Sequence, residues 1–513
     1  MRNATVDALH LHPTDNLAVA TRLLESGEAI EVAGGKVKLR ESVRLGHKFA
    51  VAPIAKGERT RKYGQTIGFA TEPIEPGAWI HTHNCAAGEF ARDYAFAQET
   101  PPDPQPLEGY TFQGYRRADG RVGTRNYVAV VSSVNCSATV CKYVAERFNR
   151  DLLKQFPNVD GVLPIMHQTG CGIQYGGEAH QMLARTLAGF AKHPNVGAYL
   201  IIGLGCETGT IGYLMEHEKL VQIGGPTPVR PPAISMQDVG GTAAAIEAGI
   251  QQLAALLPRA NDVRRETVPA SEIVLGLNCG GSDGNSGITA NPALGVASDL
   301  LVAAGGTAML AETPEIYGAE HLLTRRAKTR AIGEKLVERI KWWERYTGLF
   351  GVSMDNNPSP GNKEGGLTTI YEKSLGAVAK AGSTALAGVY EYAEPVTARG
   401  MVVVDTPGFD PVSVTGIVAS GANVVCFTTG RGSCYGCQPT PSIKIASNTP
   451  MYERMQADMD LNAGEILRGE PIADVGKRIF DLILETASGR KTKSEELGIG
   501  ALEFAPWNVG PTL

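Results

Sequence analysis

The sequence predicts an α/β protein in which a small, mainly-β N-terminal domain precedes a large α/β region with largely parallel sheets. Before residue 100, short β-rich runs such as AIEVAGGKVKL and KFAVAPI alternate with glycine and proline turns. Further along, apolar runs such as AYLIIGLG and MVVVD alternate with helical stretches such as TAAAIEAGIQQLAALL. This alternation is typical of helices that pack on a parallel sheet.

A proline-rich segment separates the two regions. The run PPDPQP at residues 101–106 contains four prolines, which exclude a continuous helix or a central strand. We also predict one helix in VATRLLESG, near the start, and one long amphipathic helix with a charged outer face at residues 321–346. The predicted division is a β-rich domain at 1–100, a linker at 101–112, an α/β domain at 113–265 and a C-terminal α/β domain at 266–513.

Composition excludes several classes of protein. The 513 residues are 43% hydrophobic and 20% charged, and no apolar run reaches the roughly 18 residues of a membrane helix. The first twenty residues lack a basic start and a continuous apolar stretch, so we expect a soluble, cytoplasmic protein without a membrane partner. Nine dispersed cysteines fit reduced thiols better than disulfides. A net charge of −5 without a basic block argues against nucleic acid and favours a small-molecule ligand.

Three cysteines each follow an apolar run in a glycine-containing turn: Cys171 in HQTGCG, Cys206 in LIIGLGCET and Cys279 in IVLGLNCGGSD. Each pattern indicates a buried strand that ends in a tight loop carrying a thiol. Open α/β sheets bind ligands at the carboxyl ends of strands, so the three turns could converge on one site. The alternative is that each cysteine is simply a small buried side chain, as free cysteines often are.

Two later loops carry polar groups in shaped turns. NNPSPGNKEGG, residues 356–366, presents Asn362 and Lys363, and its prolines and glycines predict rigid turns rather than a helix or strand. This loop suits a ligand carboxylate or hydroxyl, or it is a surface turn with a solvated lysine. FTTGRGSCYG, residues 427–436, offers Thr428, Thr429 and Arg431, and an arginine in such a turn can hold a carboxylate through two hydrogen bonds.

Histidines suggest a metal site in the N-terminal domain. His81 and His83 in WIHTHN are two residues apart, so on a strand both imidazoles would project from the same face. His12 or His47 could supply a third ligand or a general base, although exposed histidine pairs on edge strands are also common. Cys434 and Cys437 form a CxxC pair, which on its own is a weak signal of metal or redox chemistry.

Together these segments resemble a known enzyme family. HPTDNLAVA, GHKFAVAPIAKGERTRKYGQTIGFA and HTHN resemble the N-terminal SAF domain, a β-clip-like fold, of the altronate and galactarate dehydratase family. GYRRADGRVGTRN, GLGCE, NCGGSDGNSGITANP, NPSPGNKEGG, EKSLG and FTTGRG resemble its large catalytic region. The resemblance runs from about residue 8 to the end. It departs at GRGSCYGCQPT, where GRGTPYG is expected, so it does not assign Cys434 and Cys437 to the shared chemistry.

The resemblance implies a sugar-acid hydro-lyase that converts a 2,3-dihydroxy acid into a 2-keto-3-deoxy acid. It also implies Fe2+, with Mn2+ or another divalent ion as a substitute. D-Altronate is the first candidate substrate and galactarate the second, and we expect a homo-oligomer. Sulfolactate sulfo-lyase is a related branch, usually with the two regions on separate chains. A sugar-acid sensor that has kept the fold without turnover is the non-enzymatic alternative.

The chemistry of such a dehydration assigns roles to particular residues. The site should hold the substrate carboxylate on cations, for which Arg431 and Lys363 are candidates, with Asn362, Thr428 and Thr429 as further contacts. Asp283 and Glu312 are acid/base candidates, because both lie in turns just beyond apolar runs, and His47 is a third. Two metal sites compete. Mononuclear Fe2+ would lie on His81, His83 and His12, and a [4Fe–4S] cluster on Cys171, Cys206 and Cys279.

Overall fold

The computed structural model describes residues 6–89, 92–222 and 229–510. The N-terminal domain consists of short antiparallel strands that pair in the orders β1-β2-β5-β8, β3-β4 and β6-β7-β9. The strands are β1 (Ala8–Leu9), β2 (Leu17–Ala20), β3 (Ala29–Val32), β4 (Gly35–Lys38), β5 (Lys48–Ala50), β6 (Arg59–Lys62), β7 (Gln65–Ala70), β8 (Trp79–Ile80) and β9 (Cys85–Ala86).

The prediction of a helix in VATRLLESG is wrong. Its first residues belong to β2, and the rest forms a turn in which Leu24 pairs with Val43 across an antiparallel bridge. Leu24 is fully buried in the small core of this domain, together with Ile30 and Phe49. Burial of these side chains against neighbouring strands therefore outweighs the local helix propensity.

The second region is an α/β unit that begins after the linker. Residues 101–110 form no helix or strand, and the Leu107 N–H donates to the carbonyl of Ala303 at 2.9 Å. The elements are β10 (Thr111–Arg116), β11 (Val122–Gly123), β12 (Tyr127–Ser132), α1 (Asn135–Glu146), α2 (Arg150–Leu153), β13 (Gly161–Ile165), α3 (Glu178–Ala191), β14 (Val196–Gly203), α4 (Ile211–His217), β15 (Ala233–Ser235), α5 (Met236–Val239), α6 (Thr242–Asn261) and β16 (Glu266–Pro269).

Two small sheets organise this unit. β10 pairs antiparallel with both β11 and β16, so the strands that enter and leave the unit lie side by side. Strands β13, β12, β14 and β15 form a parallel sheet in that order. Helices α1 and α6 cover one face of it, and the predicted helix TAAAIEAGIQQLAALL is confirmed as α6.

The C-terminal region is built on a seven-stranded sheet in the order β19-β20-β18-β17-β21-β22-β23, in which every pair is parallel. Its elements are β17 (Val274–Cys279), α7 (Ala290–Ala303), β18 (Thr307–Leu310), α8 (His321–Arg325), α9 (Arg330–Gly348), α10 (Pro360–Glu364), α11 (Ile370–Val378), β19 (Leu386–Tyr390), β20 (Gly400–Val404), α12 (Asp410–Ala419), β21 (Val424–Thr429), β22 (Ser442–Ala446), α13 (Thr449–Arg454), β23 (Leu461–Asn462), α14 (Ile472–Ala487) and α15 (Lys493–Leu497). Short 3-10 helices occur at Ala270–Glu272, Thr313–Ile316, Met354–Asn356, Ala379–Ala381 and Gly464–Arg468.

Both faces of this sheet are covered, which explains why its strands are apolar throughout. Along β20, Met401 and Val403 belong to the core beneath α7 and α14, whereas Val402 and Val404 belong to the core shared with α3 and α12. A strand buried on both faces reads as a continuous apolar run rather than an alternating one. The predicted α/β class with largely parallel sheets is therefore confirmed.

The segment predicted as one long helix is instead two helices, α8 and α9. Between them the Lys328 N–H donates to the carbonyl of Leu386 at 2.9 Å, and the Thr329 side chain caps α9. The helix is interrupted here because the backbone can instead bond to β19, and because Thr329 can cap a new helix. Among the helices within the described ranges, none combines the length and apolarity needed to cross a bilayer.

The order of the strands locates a site. The chain passes from β17 to β18 on one side, while β21 flanks β17 on the other. The crevice outside the carboxyl ends of strands at such a switch point is the usual ligand site of open α/β sheets. The ends of β17 and β21 are Cys279 and Thr429.

Candidate active site

A buried group of charged side chains lies at this edge of the seven-stranded sheet. Cys279 ends β17, and Glu312 follows β18 by two residues. The Cys279 backbone N–H donates to Glu312 Oε2 at 2.9 Å, and its thiol Sγ lies 3.3 Å from the same oxygen. Lys380 Nζ donates to Cys279 Sγ at 2.9 Å and to Glu312 Oε2 at 3.1 Å. All three side chains are excluded from solvent.

A second ion pair adjoins the first. Lys373 Nζ donates to Glu315 Oε1 at 2.7 Å and to Asn357 Oδ1 at 2.8 Å. Asn357 Nδ2 in turn donates to Glu315 Oε1 at 2.9 Å. The Cys279 thiol lies 3.4 Å from Glu315 Oε2 and therefore connects the two pairs.

The two glutamates have pKa values shifted in opposite directions. Burial and the neighbouring Glu315 charge raise the pKa of the Glu312 carboxyl. Burial also opposes ionisation of Glu315, but Lys373 outweighs it, so the pKa of Glu315 is lowered. Neighbouring carboxyls with separated pKa values are the usual arrangement of an acid/base site. This makes Glu312 the stronger candidate for proton transfer.

A third carboxyl belongs to this group. Asp410 lies at the start of α12, and a Cβ added at Gly280 would lie only 2.3 Å from Asp410 Oδ2. Burial, followed by the charges of Glu312 and Glu315, raises the pKa of Asp410 to about 8. Asp410 therefore holds its proton at neutral pH and can donate it.

The backbone at Glu312 is strained. Its φ is +69°, in the left-handed region that L-residues with a side chain rarely adopt. The Glu312 N–H donates to Thr406 Oγ1 at 2.7 Å, which holds this conformation. Such strain costs on the order of 1–3 kcal/mol and is concentrated at functional sites. Here it turns the carboxylate back toward Cys279.

Asp283, the other predicted acid/base residue, lies in the turn after β17. Its Oδ1 accepts hydrogen bonds from Ser447 Oγ at 2.8 Å and from the Ser286 N–H and Oγ at 2.9 Å. Its Oδ2 accepts from Asn448 Nδ2 at 3.0 Å and from Asn285 Nδ2 at 3.2 Å. This saturation with donors favours a role in positioning the loops rather than in accepting a proton from a substrate.

The N-terminal domain closes over this edge through buried ion pairs. Lys48 Nζ and Lys62 Nζ lie 2.8 and 3.0 Å from the two oxygens of Glu372 on α11. Burial disfavours the charge of Glu372, but the two ammonium groups outweigh it and lower the pKa of this carboxyl. A small cavity between the domains is lined by Cys279, Lys373 and Glu372, among other residues. The cavity therefore connects the domain junction with the charged edge.

The predicted histidine metal site is not formed. His81 and His83 lie in the turn after β8 rather than on the strand, because Asn84 Oδ1 accepts from the His81 N–H at 3.0 Å. His81 Nε2 donates to the carbonyl of Lys363 at 2.8 Å. The His12 ring bonds locally with Thr14. In the described part of the chain, no group of three or more potential ligand residues with their ligand atoms within 4.8 Å of one another includes these histidines.

His47, predicted as a ligand or base, is also engaged at the junction. Its Nδ1 accepts from Trp79 Nε1 at 3.2 Å, and its Nε2 lies 3.1 Å from the carbonyl of Glu364. Burial, followed by the charge of Lys48, lowers the pKa of His47 to about 4. A neutral ring with both nitrogens bonded connects the two domains.

The loop predicted to consist of rigid turns contains the short helix α10. Ser359 caps it and Pro360 occupies its first position, which suits proline because that N–H has no helical partner. Asn362 is buried, and its Nδ2 donates to the carbonyl of Ser282 at 2.8 Å. Lys363 is half-buried, and its carbonyl accepts a hydrogen bond from His81 Nε2. The structure thus brings Asn362 and Lys363 next to the loop that carries Asp283.

The second predicted substrate loop lies beside the first. Arg431 is half-exposed, and its Nη2 lies 3.2 Å from Glu364 Oε2. Thr428 and Thr429 are fully buried: Thr428 Oγ1 donates to Asn291 Oδ1 at 2.7 Å, and Thr429 Oγ1 accepts the Gly432 N–H at 3.0 Å. Arg431 therefore faces solvent at the mouth of the site, whereas the two hydroxyls are already bonded.

The three predicted cysteine ligands do not converge. Cys279 is buried in the seven-stranded sheet, whereas Cys171 and Cys206 are exposed in loops of the four-stranded sheet. Cys434 is exposed and Cys437 is buried, with the Cys437 thiol donating to the carbonyl of Thr440. All nine cysteines are free.

Cys279, Glu312 and Glu315 are the group of potential metal ligands that lie within 4.8 Å of one another in the described residues. A mixed thiol and carboxylate set is a possible site for a divalent ion. However, Lys380 already contacts two of the three ligand atoms and Lys373 contacts Glu315. Burial also raises the pKa of the Cys279 thiol and opposes the thiolate form. As arranged, this set suits the two ammonium groups better than a divalent ion.

Sequence reasoning missed most of the charged partners. Three of them lie in segments that gave a local signal: Glu315 is three residues after Glu312, and the segment EKSLG contains Glu372 and Lys373. Lys380 and Asp410 lie in apolar or loop contexts without such a signal. Their roles depend on contacts between residues that are distant in the chain.

Comparison with known proteins agrees with this architecture. Family models match three consecutive segments: the altronate/galactarate dehydratase SAF domain at residues 6–88, the galactarate dehydratase/altronate hydrolase second domain at 114–261, and the galactarate/altronate dehydratase C-terminal domain at 270–512. The chain is 40% identical to galactarate dehydratase (L-threo-forming) of Escherichia coli K12, over 100% of this chain and 99% of that protein. The chain belongs to the altronate/galactarate dehydratase family.

Two further family members align over almost their whole length. The chain is 36% identical to altronate dehydratase of Escherichia coli K12 and 34% identical to altronate dehydratase of Bacillus subtilis 168. Each alignment covers 98% of this chain and 99% of the relative. The family predicted from the SAF-like and catalytic segments is confirmed.

Proposed function

We propose that the protein is a hydro-lyase that converts a 2,3-dihydroxy sugar acid into a 2-keto-3-deoxy acid, with D-altronate as the first candidate substrate. The observation that carries this proposal is the end-to-end similarity to relatives named altronate and galactarate dehydratase. The buried carboxyls of Glu312 and Asp410 support it, because the reaction needs a base and an acid. A sensor without turnover would not need both.

The proposed roles follow from the contacts at the sheet edge. Glu312 takes the proton from C2 of the substrate, and the C2–H electron pair forms the C2–C3 double bond. Asp410 gives its proton to the 3-hydroxyl, which leaves as water. The resulting enol takes a proton at C3, loses the proton of its 2-hydroxyl and becomes the keto acid. Lys373 and Lys380 stabilise the negative charge that develops on the substrate.

Galactarate is the second candidate substrate, favoured by the 40% identity to a galactarate dehydratase. Initial rates of keto-acid formation with each acid, measured on the anaerobic full-length protein, test both. We expect kcat/KM for D-altronate to exceed that for galactarate. A higher kcat/KM for galactarate would make galactarate the preferred substrate of the same activity. Absence of product from both acids would contradict the proposed activity.

We propose Fe2+ as the cofactor, with Mn2+ or another divalent ion as a substitute, in a reducing cytoplasm. The family resemblance and the nine free cysteines support this. Exhaustive chelation should abolish keto-acid formation, and added Fe2+ should restore it. The control is a sample of the same protein at the same concentration, treated with chelator that is already saturated with zinc. Unchanged turnover after complete removal of metal would contradict the proposal.

The raised pKa of Asp410 predicts an alkaline limb in the dependence of kcat/KM on pH. Its pKa of about 8 means that the protonated acid is present below that pH and is lost above it. We therefore expect kcat/KM to fall as pH rises through about 8, since kcat/KM reports groups of the free enzyme. In Asp410→Asn this limb should disappear and the rate should fall at least about 100-fold. An unchanged limb in the variant would assign it to another group.

A further inference from the structure

The four-stranded sheet carries exposed cysteines on three neighbouring strands. Cys136, Cys171 and Cys206 follow the carboxyl ends of β12, β13 and β14, and β12 lies between the other two. All three thiols are exposed, whereas five of the other six cysteines are buried. We call these three residues the cysteine edge. Open α/β sheets place ligands at this position.

The loops of the cysteine edge are bonded directly to one another. The N–H of Asn135, next to Cys136, donates to the carbonyl of Thr169 at 2.9 Å. The N–H groups of Thr208 and Gly209 donate to the carbonyl of Gly170 at 3.1 and 3.3 Å. The loop that carries Cys171 therefore contacts the loops that carry the other two thiols.

Glycine makes the closest of these approaches possible. Gly170 has a φ of +103°, and a Cβ there would lie 2.6 Å from the carbonyl oxygen of Ser133. A buried carboxylate fixes the third loop: Glu207 Oε1 accepts from Ser133 Oγ at 2.7 Å, and its Oε2 accepts from the Gly205 N–H at 2.6 Å. The frame that holds the three thiols is thus tightly packed and bonded, although the thiols themselves face solvent.

A buried donor without a partner adjoins this frame. His180 is fully buried, and its Nδ1 accepts the Gly176 N–H at 3.0 Å, so its proton lies on Nε2. Among the described residues, that Nε2 has no hydrogen-bond partner. It lies 3.8 Å from the position of a Cβ on Gly209, the residue bonded to the Cys171 loop. An unsatisfied buried N–H is costly, and a bound anionic group such as a cluster sulfide would satisfy it.

We propose that Cys136, Cys171 and Cys206 bind a [4Fe–4S] cluster through three thiolates, leaving one iron open to an oxygen ligand. The thiols release their protons to solvent as iron binds. A single ion with bonds of about 2.3 Å would hold its thiolates within roughly 4 Å of one another. The three sulfurs are not all within 4.8 Å. As they are arranged, one ion could therefore not bind all three thiolates, whereas a cluster binds each thiolate through a different iron.

Reconstitution of the full-length protein tests this proposal without any assay of turnover. Anaerobic incubation with Fe3+, sulfide and a thiol that reduces part of the iron to Fe2+ should give brown protein with about four irons and four acid-labile sulfides per chain. Cys136→Ser, Cys171→Ser and Cys206→Ser should each lose most of the colour and sulfide, whereas Cys434→Ser, which removes another exposed thiol, should keep both. Retention of colour in all three variants would contradict the assignment.

Protection of the thiols from alkylation gives a second test, which uses the wild-type protein without substitutions. Peptide mapping after brief alkylation should show Cys136, Cys171 and Cys206 protected in the reconstituted protein and reactive after the cluster is removed. Cys434 should react in both states. Binding of metal without sulfide, or equal reactivity of the three thiols in both states, would overturn the cluster. Either result would leave the dehydratase proposal standing, because that proposal rests on the similarity to known dehydratases and on the carboxyls of Glu312 and Asp410.

Discussion

Glu312→Gln is expected to lower kcat for keto-acid formation about 1000-fold, within the range of general acid–base catalysis. The amide keeps the size of the side chain but cannot take the C2 proton. It also removes the partner of Lys380, whose Nζ lies 3.1 Å from Glu312 Oε2. The measurement is the steady-state rate of 2-keto-3-deoxy acid formation from D-altronate and from galactarate.

Loss of folding has to be separated from loss of chemistry in this variant. The melting temperature should fall, because Lys380 loses its buried counter-charge. The protein should nevertheless be folded at the assay temperature and keep its affinity for the sugar acid if Glu312 acts mainly on the proton. Glu334→Gln is the matched control, because Glu334 is half-exposed on α9 and pairs only with Arg330 among the described contacts. A kcat within threefold of the wild type in Glu312→Gln would remove Glu312 from the catalytic residues.

Glu372→Gln is expected to lower the free energy of unfolding by about 3–5 kcal/mol. The substitution leaves Lys48 and Lys62 buried without a counter-charge at the junction of the domains. Chemical denaturation of the full-length chain measures the change. Glu465→Gln, which breaks an exposed pair with Arg478, should cost less than about 1 kcal/mol. Equal effects of the two substitutions would contradict the role of the buried pair.

The same carboxyl predicts a dependence of stability on pH. The pKa of Glu372 is lower in the folded protein than its ordinary value. Its contribution is therefore complete above the unfolded pKa of about 4.3 and is lost as pH falls through the folded value. We expect the wild type to lose stability in acid more steeply than Glu372→Gln.

Regular patterns made the architecture predictable. Apolar runs that alternate with helices indicated the parallel sheets, and the turns after those runs pointed to the sheet edge where Cys279, Asp283 and Glu312 lie. The helix predicted in VATRLLESG and the continuous helix at 321–346 failed because tertiary pairing, of Leu24 with Val43 and of Ala327 with Leu386, outweighed local propensity.

The partners within the site were not predictable in the same way. Lys380 contacts Cys279, which is 101 residues away in the sequence, and Lys48 contacts Glu372, which is 324 residues away. Spacing also misled: the interval between His81 and His83 suits a strand, but Asn84 turns the backbone there. Cys136 lacks the flanking glycines that marked Cys171 and Cys206, and only the order of the strands brings it between them.

The central claim is that this chain dehydrates a sugar acid by removing the C2 proton. NMR of the reaction in D2O, with the full-length protein and each acid in turn, tests it most directly. The account predicts a 2-keto-3-deoxy product with one deuterium at C3, formed by the wild type and almost absent with Glu312→Gln. A sugar acid that binds with measurable affinity yet shows no product and no exchange at C2 would contradict the account and favour a sensor.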